Sequence, residues 1–457
     1  MESFYCRSGV GPVAMQPEVM SPMNVIFNLT RAFVGRTGSL RRRMVYLGIG
    51  FGGCLVLVLF PNPTATYSAM PAAGQPIHFS ETLISKDYTY AYGIAAADLD
   101  GDGDVDLTSS DCATNGSVEH DSVYWFENDG SSKFQRHFLY DASKPGRMER
   151  HRVGDINKDG RPDLVIVNNF YGDVYWFENP GKGAIRQPWK QHYVTHGGLL
   201  GAYDLDLADF DKDGELDIAA SSWRMGNQFV WFENPGKKLD GEWTGHPIDS
   251  GIFETRNVRA ADFDADGDSD LLCTASESGI LLWYENPGLR SSPTWRRHII
   301  DTIARPVHGE PVDMDGDGDL DVVMAVGMGM REARSQILWY ENMRKQGDLN
   351  WWKKHVIQDD FKNAFETVAG DIDGDGDLDV VATAWGPEGK VAWFQNSGNP
   401  LEGWQMHFLK ESWPRANQVL LVDLDRDQKV DIVAVAEVPT LELRWWRNEG
   451  SSLAGGK

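Results

Sequence analysis

Seven ten-residue acidic segments hold the residues best able to do chemistry in this chain, and the chemistry is cation binding. The carboxylates sit at the first, third, fifth and ninth positions of each segment. They are Asp98, Asp100, Asp102 and Asp106; Asp155, Asn157, Asp159 and Asp163; Asp209, Asp211, Asp213 and Asp217; and Asp262, Asp264, Asp266 and Asp270. The other three sets are Asp313, Asp315, Asp317 and Asp321; Asp371, Asp373, Asp375 and Asp379; and Asp423, Asp425, Asp427 and Asp431. Only Asn157 is not an acid. Gly holds the sixth position in every copy but the last, so the loop is expected to turn there and bring alternate oxygens together. Ca²⁺ takes six to eight oxygens and tolerates irregular geometry, whereas Mg²⁺ keeps its waters. The spacing begins like an EF-hand, but Asp is ninth and the bidentate Glu expected in twelfth place is missing. The expectation is six or seven Ca²⁺ ions. Occupancy of the seventh loop is open, because Gln428 replaces the Gly and Lys429 follows it.

The segments start 57, 54, 53, 51, 58 and 52 residues apart (differences of the positions above), a spacing that signals a repeat architecture. Two other marks keep the same step. Trp125, Trp176, Trp231, Trp283, Trp339, Trp393 and Trp445 each open a "WFEN"-like run that ends in Asn. His78, His137, His192, His246, His298, His355 and His407 precede the acidic loops. Short runs rich in Val, Ile and Leu, separated by Gly, Pro and Asn turns, read as four strands per unit. Four strands in about fifty residues is a propeller blade. The predicted fold is all-β: a seven-bladed β-propeller with calcium loops in the blades, its first strand completing the last sheet. The repeated Trp is expected in the core, and the repeated His in a hydrogen bond within each blade.

The chain resembles the VCBS/FG-GAP repeat family, which includes the propeller heads of integrin alpha subunits. The resemblance rests on the seven acidic loops and covers about four fifths of the chain. It implies the fold and the metal but not the function, since such propellers serve as adhesion heads, lectins, lyase scaffolds and dehydratase domains. It also implies that the strand before each loop lines a central channel. By the period of two, the residues five and three places before the first Asp then share one face. Those positions hold Arg150, Arg152, Asp204, Asp206, Asn257, Arg259, His308, Glu310, Glu366 and Gln418 in six of the blades, with Gly93, Ala95, Val368 and Leu420 among the uncharged ones. One expectation is that Arg150, Arg152 and Arg259 pair with Asp204, Asp206, Glu310 and Glu366 across the channel. The other is a pocket for a polar or acidic ligand, with His308 and Glu310 as proton-transfer groups. His151 falls on the opposite face.

Trp223, Trp385 and Trp413, with Tyr88, Tyr90 and Tyr171, lie in loops expected at the ends of the ring, where aromatic faces can stack on sugars. The expected ligand is therefore a glycan or another polar small molecule. The alternatives are a sugar lyase or dehydratase working through the channel, and a protein-adhesion head. No nucleophile motif, phosphate loop or zinc-spaced Cys/His set is present.

The net charge of −25 excludes nucleic acid as a partner; seven Ca²⁺ would bring it to −11. Four Cys are too few for a disulfide scaffold. Residues 1–43 form an N-terminal extension, 44–73 an export signal and linker, 74–450 the propeller and 451–457 a tail. The uncharged run at 44–60 follows "RRR" and reads as a signal peptide cleaved before the propeller, with an uncleaved anchor as the alternative. Cys54 makes a poor lipoprotein site because the apolar run continues past it. The expectation is an extracytoplasmic monomer whose only membrane contact is that anchor.

Overall fold

The computed structural model describes residues 77–112, 122–131, 133–141, 146–288, 294–329, 334–344, 351–401 and 403–451. The chain divides into units 1–66 and 67–457, and every described residue belongs to the second. The export segment at 44–60 lies outside the described residues. Among them no helix is long and apolar enough to cross a membrane.

After β1 (Ile77–Ser85), the strands fall into seven four-stranded antiparallel sheets. Blade one is β2 (Ala91–Ala97), β3 (Asp106–Asp111), β4 (Ser122–Asn128) and β5 (Phe134–Asp141). Blade two is β6 (Met148–Gly154), β7 (Asp163–Asn168), β8 (Asp173–Glu178) and β9 (Lys190–Thr195). Blade three is β10 (Ala202–Ala208), β11 (Asp217–Ser222), β12 (Gln228–Glu233) and β13 (Thr244–Ser250). Blade four is β14 (Thr255–Ala261), β15 (Asp270–Ala275), β16 (Ile280–Glu285) and β17 (Arg296–Thr302). Blade five is β18 (Pro306–Val312), β19 (Asp321–Val326), β20 (Gln336–Asn342) and β21 (Trp352–Asp359). Blade six is β22 (Ala364–Gly370), β23 (Asp379–Ala384), β24 (Lys390–Gln395) and β25 (Gln405–Lys410). Blade seven is β26 (Ala416–Val422), β27 (Asp431–Ala436), β28 (Glu442–Ser451) and, as its outer strand, β1. The first strand of the described residues thus closes the ring, which leaves few free sheet edges.

Burial follows strand position. The second strand of each blade is buried along its whole length, as in β19 ("DVVMAV"), because both of its faces meet neighbouring blades. The outer strand alternates, as in β17. Among the described residues each blade interface holds a hydrophobic cluster built around the repeated Trp of one of its two blades, and two smaller clusters lie near the channel. Trp125 packs on blade two, and Trp445 packs on blade one to complete the circle. These indoles are at most 5% exposed. Burying one contributes roughly 4–6 kcal/mol as an upper bound.

The repeated His lies against that Trp from the outer strand. Ring centroids are 4.1–4.8 Å apart in blades one to six. Nε2 meets the carboxylate of the "WFE" Glu in five of these blades, as His137 does Glu127 at 2.8 Å, and Gln395 in blade six at 3.3 Å. The seventh His does not follow. In β1 Thr82 stands opposite Trp445, and His78 is exposed. The closing strand comes from the other end of the chain and pairs in its own register. Cys112 and Cys273 are buried and unbridged.

Candidate functional site

Each acidic loop joins the first strand of a blade to the second. The ninth Asp is held by the fold itself. One of its oxygens accepts the N–H of the second loop residue at 2.8–3.1 Å. The other accepts the N–H of the "WFEN" Asn at 2.7–2.8 Å. That Asn also binds the blades together: Asn179 donates to the Leu99 carbonyl of blade one at 2.8 Å, and Asn128 to Leu424 of blade seven at 2.8 Å. Burial pushes the ninth carboxyl up, to about 7 at Asp106 and about 8 at Asp270.

In five loops the first Asp accepts the N–H groups of the fifth and sixth residues, as Asp209 does from Asp213 at 2.9 Å and Gly214 at 2.8 Å. Asp313 accepts only that of Gly318, and Asp371 those of Gly374 and Gly376. The loop turns twice through the left-handed region. The sixth residue does so, from Gly160 (φ 83°) to Gly376 (φ 96°), and so does the fourth, including Lys158, Lys212 and Ala265 at φ 56–59°. Backbone N–H groups thus take up part of the clustered negative charge. Part remains, because carboxylate oxygens of Asp98, Asp100 and Asp106 all lie within 4.8 Å of one another. The same holds for groups in the loops of Asp209, Asp262, Asp313 and Asp371. One oxygen of Asp313 is buried with no hydrogen-bond partner. Oxygens converging in this way fit a divalent cation, which would neutralise the loop. In blade seven the protein supplies its own cations: Lys429 pairs with Asp427 and Arg447 with Asp425, while Gln428 takes the left-handed turn at φ 69°.

The channel is closed by ion pairs. Arg150 reaches from blade two to Glu366 in blade six through two bonds of 2.9 and 2.8 Å. Arg259 holds Asp204 at 2.8 Å and lies 3.7 Å from Glu366. Arg152 holds Asp206 at 3.1 Å and lies 4.0 Å from Asp204. Gln418 accepts the N–H of Ile94 at 3.0 Å, and Asn257 accepts that of Gly309 at 3.4 Å, so these side chains tie adjacent inner strands.

Glu310 departs from the expected pairing. Its carboxylate accepts the N–H of Ala369 and forms no ion pair among the described residues. Burial pushes it up to about 7. It lines a cavity of about 310 Å³ shared with Arg152, Arg259 and Glu366. His308 does not join it. His308 is fully buried beneath Tyr203 and Phe365, with Nε2 3.2 Å from the Tyr203 hydroxyl and Nδ1 3.4 Å from Asn257. Burial, reinforced by Arg150 and Arg256, holds its pKa far below the usual value. The expected His308–Glu310 pair is therefore not assembled. His151 points into the blade, with Nε2 2.8 Å from the Thr108 hydroxyl.

Beyond the ion pairs, at the end of the ring away from the acidic loops, lies a second cavity of about 210 Å³. Trp223 and Trp385 line it with Tyr90, Tyr92, Tyr203, Phe365, Arg147, Arg224, Arg256 and Glu437. Trp413 is not there. It is 1% exposed, edge-on to Trp446 at 5.5 Å, with Nε1 bonded to Glu442 at 2.8 Å. Tyr88 is buried in the core between blades one and seven, and Tyr171 is an exposed loop residue.

Tyr92, Tyr203, Arg256 and Phe365 all sit six places before a loop's first Asp, where strict alternation would turn them away from the axis. Each inner strand carries a register shift just before its midpoint, as between Ala202 and Leu205. Such an irregularity re-aims the side chains at the strand's start. A signal was present in the sequence, since a position expected to pack between blades reads Tyr, Glu, Tyr, Arg, Val, Phe and Asn.

Among curated proteins no match to the chain is found. Two crystal structures of BBS1N in complex with ARL6DN, one soaked with lead and one with mercury, contain similar chains. They share 12% and 11% identity at a TM-score of 0.49, covering 82% and 83% of this chain and 97% and 98% of theirs. The FG-GAP-like repeat matches five overlapping stretches, residues 155–220, 209–273, 262–324, 313–382 and 371–434, a continuous run over more than half of the chain. By that match, the chain belongs to the FG-GAP-like repeat family, in the form of a seven-bladed β-propeller.

Proposed function

We propose that the protein is an exported, calcium-stabilised binding module whose ligand is a carbohydrate held in the aromatic cavity. The observation that carries this reading is the cavity itself, walled by Trp223, Trp385 and tyrosines above a channel closed by the Arg150–Glu366 pair. Aromatic walls suit the C–H faces of a sugar ring, and the Tyr hydroxyls and guanidinium groups suit its hydroxyls. Calcium enters through the clustered Asp oxygens, and FG-GAP repeats often bind it. Export accords with that metal, because millimolar calcium outside the cytoplasm fills even weak sites. N-terminal sequencing of the exported product should begin between Asn62 and Gly74; an intact chain in the membrane fraction would establish an anchor instead.

A glycan array followed by product analysis tests the binding reading. Bound glycans should be recovered uncleaved, and Trp385→Ala should lower affinity about tenfold while leaving the fold intact. Wild-type protein that binds no glycan would refute it. One observation favours a sugar lyase or dehydratase: the Glu310 carboxyl, held near 7, faces a cavity with Arg152 and Arg259. Cleaved products, lost on Glu310→Gln, would establish that reading.

A further inference from the structure

We infer that the aromatic cavity selects an anionic sugar, a ring bearing a carboxylate, and that Arg256 is the residue that reads the charge. The inference rests on the glycan reading above and deepens it. Arg256 is 4% exposed, yet it lines the cavity. Its guanidinium makes one side-chain bond, to the Tyr203 hydroxyl at 3.0 Å, and its Nε is buried without a partner. It lies 5.2 Å from the Tyr203 ring centroid and 5.1 Å from that of Trp223. It forms no ion pair among the described residues. A buried guanidinium is costly unless an anion meets it. The cation–π contacts offset only part of that cost.

The surrounding acids have other arginines in direct contact. Glu149 lies 2.5 Å from Arg147, its buried carboxyl pushed up to about 7, and Glu254 meets Arg224 at 2.6 Å and Arg305 at 2.8 Å. Arg256 acts on both acids only through its field, without an ion pair. Glu437 accepts from Trp385 at 2.9 Å and Asn417 at 2.8 Å, with Arg415 3.8 Å away. Five arginines therefore face three glutamates around this end of the channel, in a chain of net charge −25. A low-dielectric recess in which positive side chains outnumber negative ones focuses a net positive field on an anionic ligand. The planar guanidinium fork matches a carboxylate in geometry. The cavity volume admits one such residue of a chain.

The test compares oligogalacturonates, their fully methyl-esterified counterparts and sulfated galactan oligosaccharides by calorimetry, on wild-type protein and on Arg256→Gln and Arg256→Lys. The acid should bind the wild type about ten- to a hundredfold more tightly than the ester. Arg256→Gln should bring that ratio close to one, while affinity for the ester stays within about threefold. Arg256→Lys should keep part of the preference, which also guards against loss of fold as the explanation. Tighter binding of the sulfated series would overturn the carboxylate assignment. Equal binding of acid and ester by the wild type, or a preference that survives Arg256→Gln, would overturn the role of Arg256 and leave the glycan reading standing. If no oligosaccharide binds but benzoate does, and only with Arg256 present, the anion anchor stands and the glycan reading falls. If neither binds, both fall.

Discussion

Replacing Glu366 by Gln removes a charge from the middle of the channel with almost no change of shape. Arg150 is fully buried and makes two bonds to that carboxylate, which is itself 4% exposed on its side chain. Breaking a buried pair from one side costs about 3–5 kcal/mol, because the other charge is left uncompensated. Here Arg259, 3.7 Å from Glu366, also loses an anion, while Asp204 still faces both arginines and offsets part of the loss. A cost of about 3 kcal/mol is expected. In urea, with calcium saturating, that lowers the unfolding midpoint by about 1 M for a slope of about 3 kcal/mol/M. The double variant Arg150→Met/Glu366→Leu removes both charges and should return to within about 1 kcal/mol of the wild type. A Glu366→Gln midpoint shifted by less than about 0.2 M, or a double variant at the sum of the single losses, would show that the pair does not close the channel in the way described.

Removing calcium with EDTA should lower the melting temperature, each saturated site contributing about 2.7 kcal/mol at a hundredfold excess over its Kd; an unchanged midpoint would refute the calcium assignment. Asp375→Ala should destabilise more than Asp427→Ala, because Lys429 and Arg447 already stand on the seventh loop. Gln428→Gly should raise stability by about 1 kcal/mol, since only Gly adopts φ 69° without strain, and denaturation of the single variant decides it. For Glu310 the folded value, about 7, lies above the ordinary 4.5, so its contribution is favourable below pH 4.5 and is lost as pH rises through 7. Glu310→Gln should therefore gain on the wild type by about 2–3 kcal/mol between pH 5 and pH 8. A difference in melting temperature that does not change over that range would refute the shift.

Much of the fold was legible because it is periodic. The acidic loop, the Trp and the Asn each recur at one step, so seven blades and a closing strand follow from the spacing alone. The convergence of the loop's carboxylates was equally legible, since those residues are neighbours in sequence. The ion pairs of the channel were half legible: the charges could be placed on one face, but not matched. Arg150 meets Glu366, 216 residues away, because the ring brings blades two and six together across the axis. The failures share that cause or arise from register. Thr82, and not His78, faces Trp445, because β1 joins blade seven from the other end of the chain. His308 and Glu310, two residues apart, have separate surroundings because the strand irregularity turns one toward Tyr203 while the other faces Ala369. The same irregularity brings Arg256 and Tyr203 from a position that alternation assigns to packing into the cavity. Local spacing determines what a residue can bind within its own loop. Which distant side chain it meets, and whether water or a ligand can reach it, is decided only when seven sheets close around one axis.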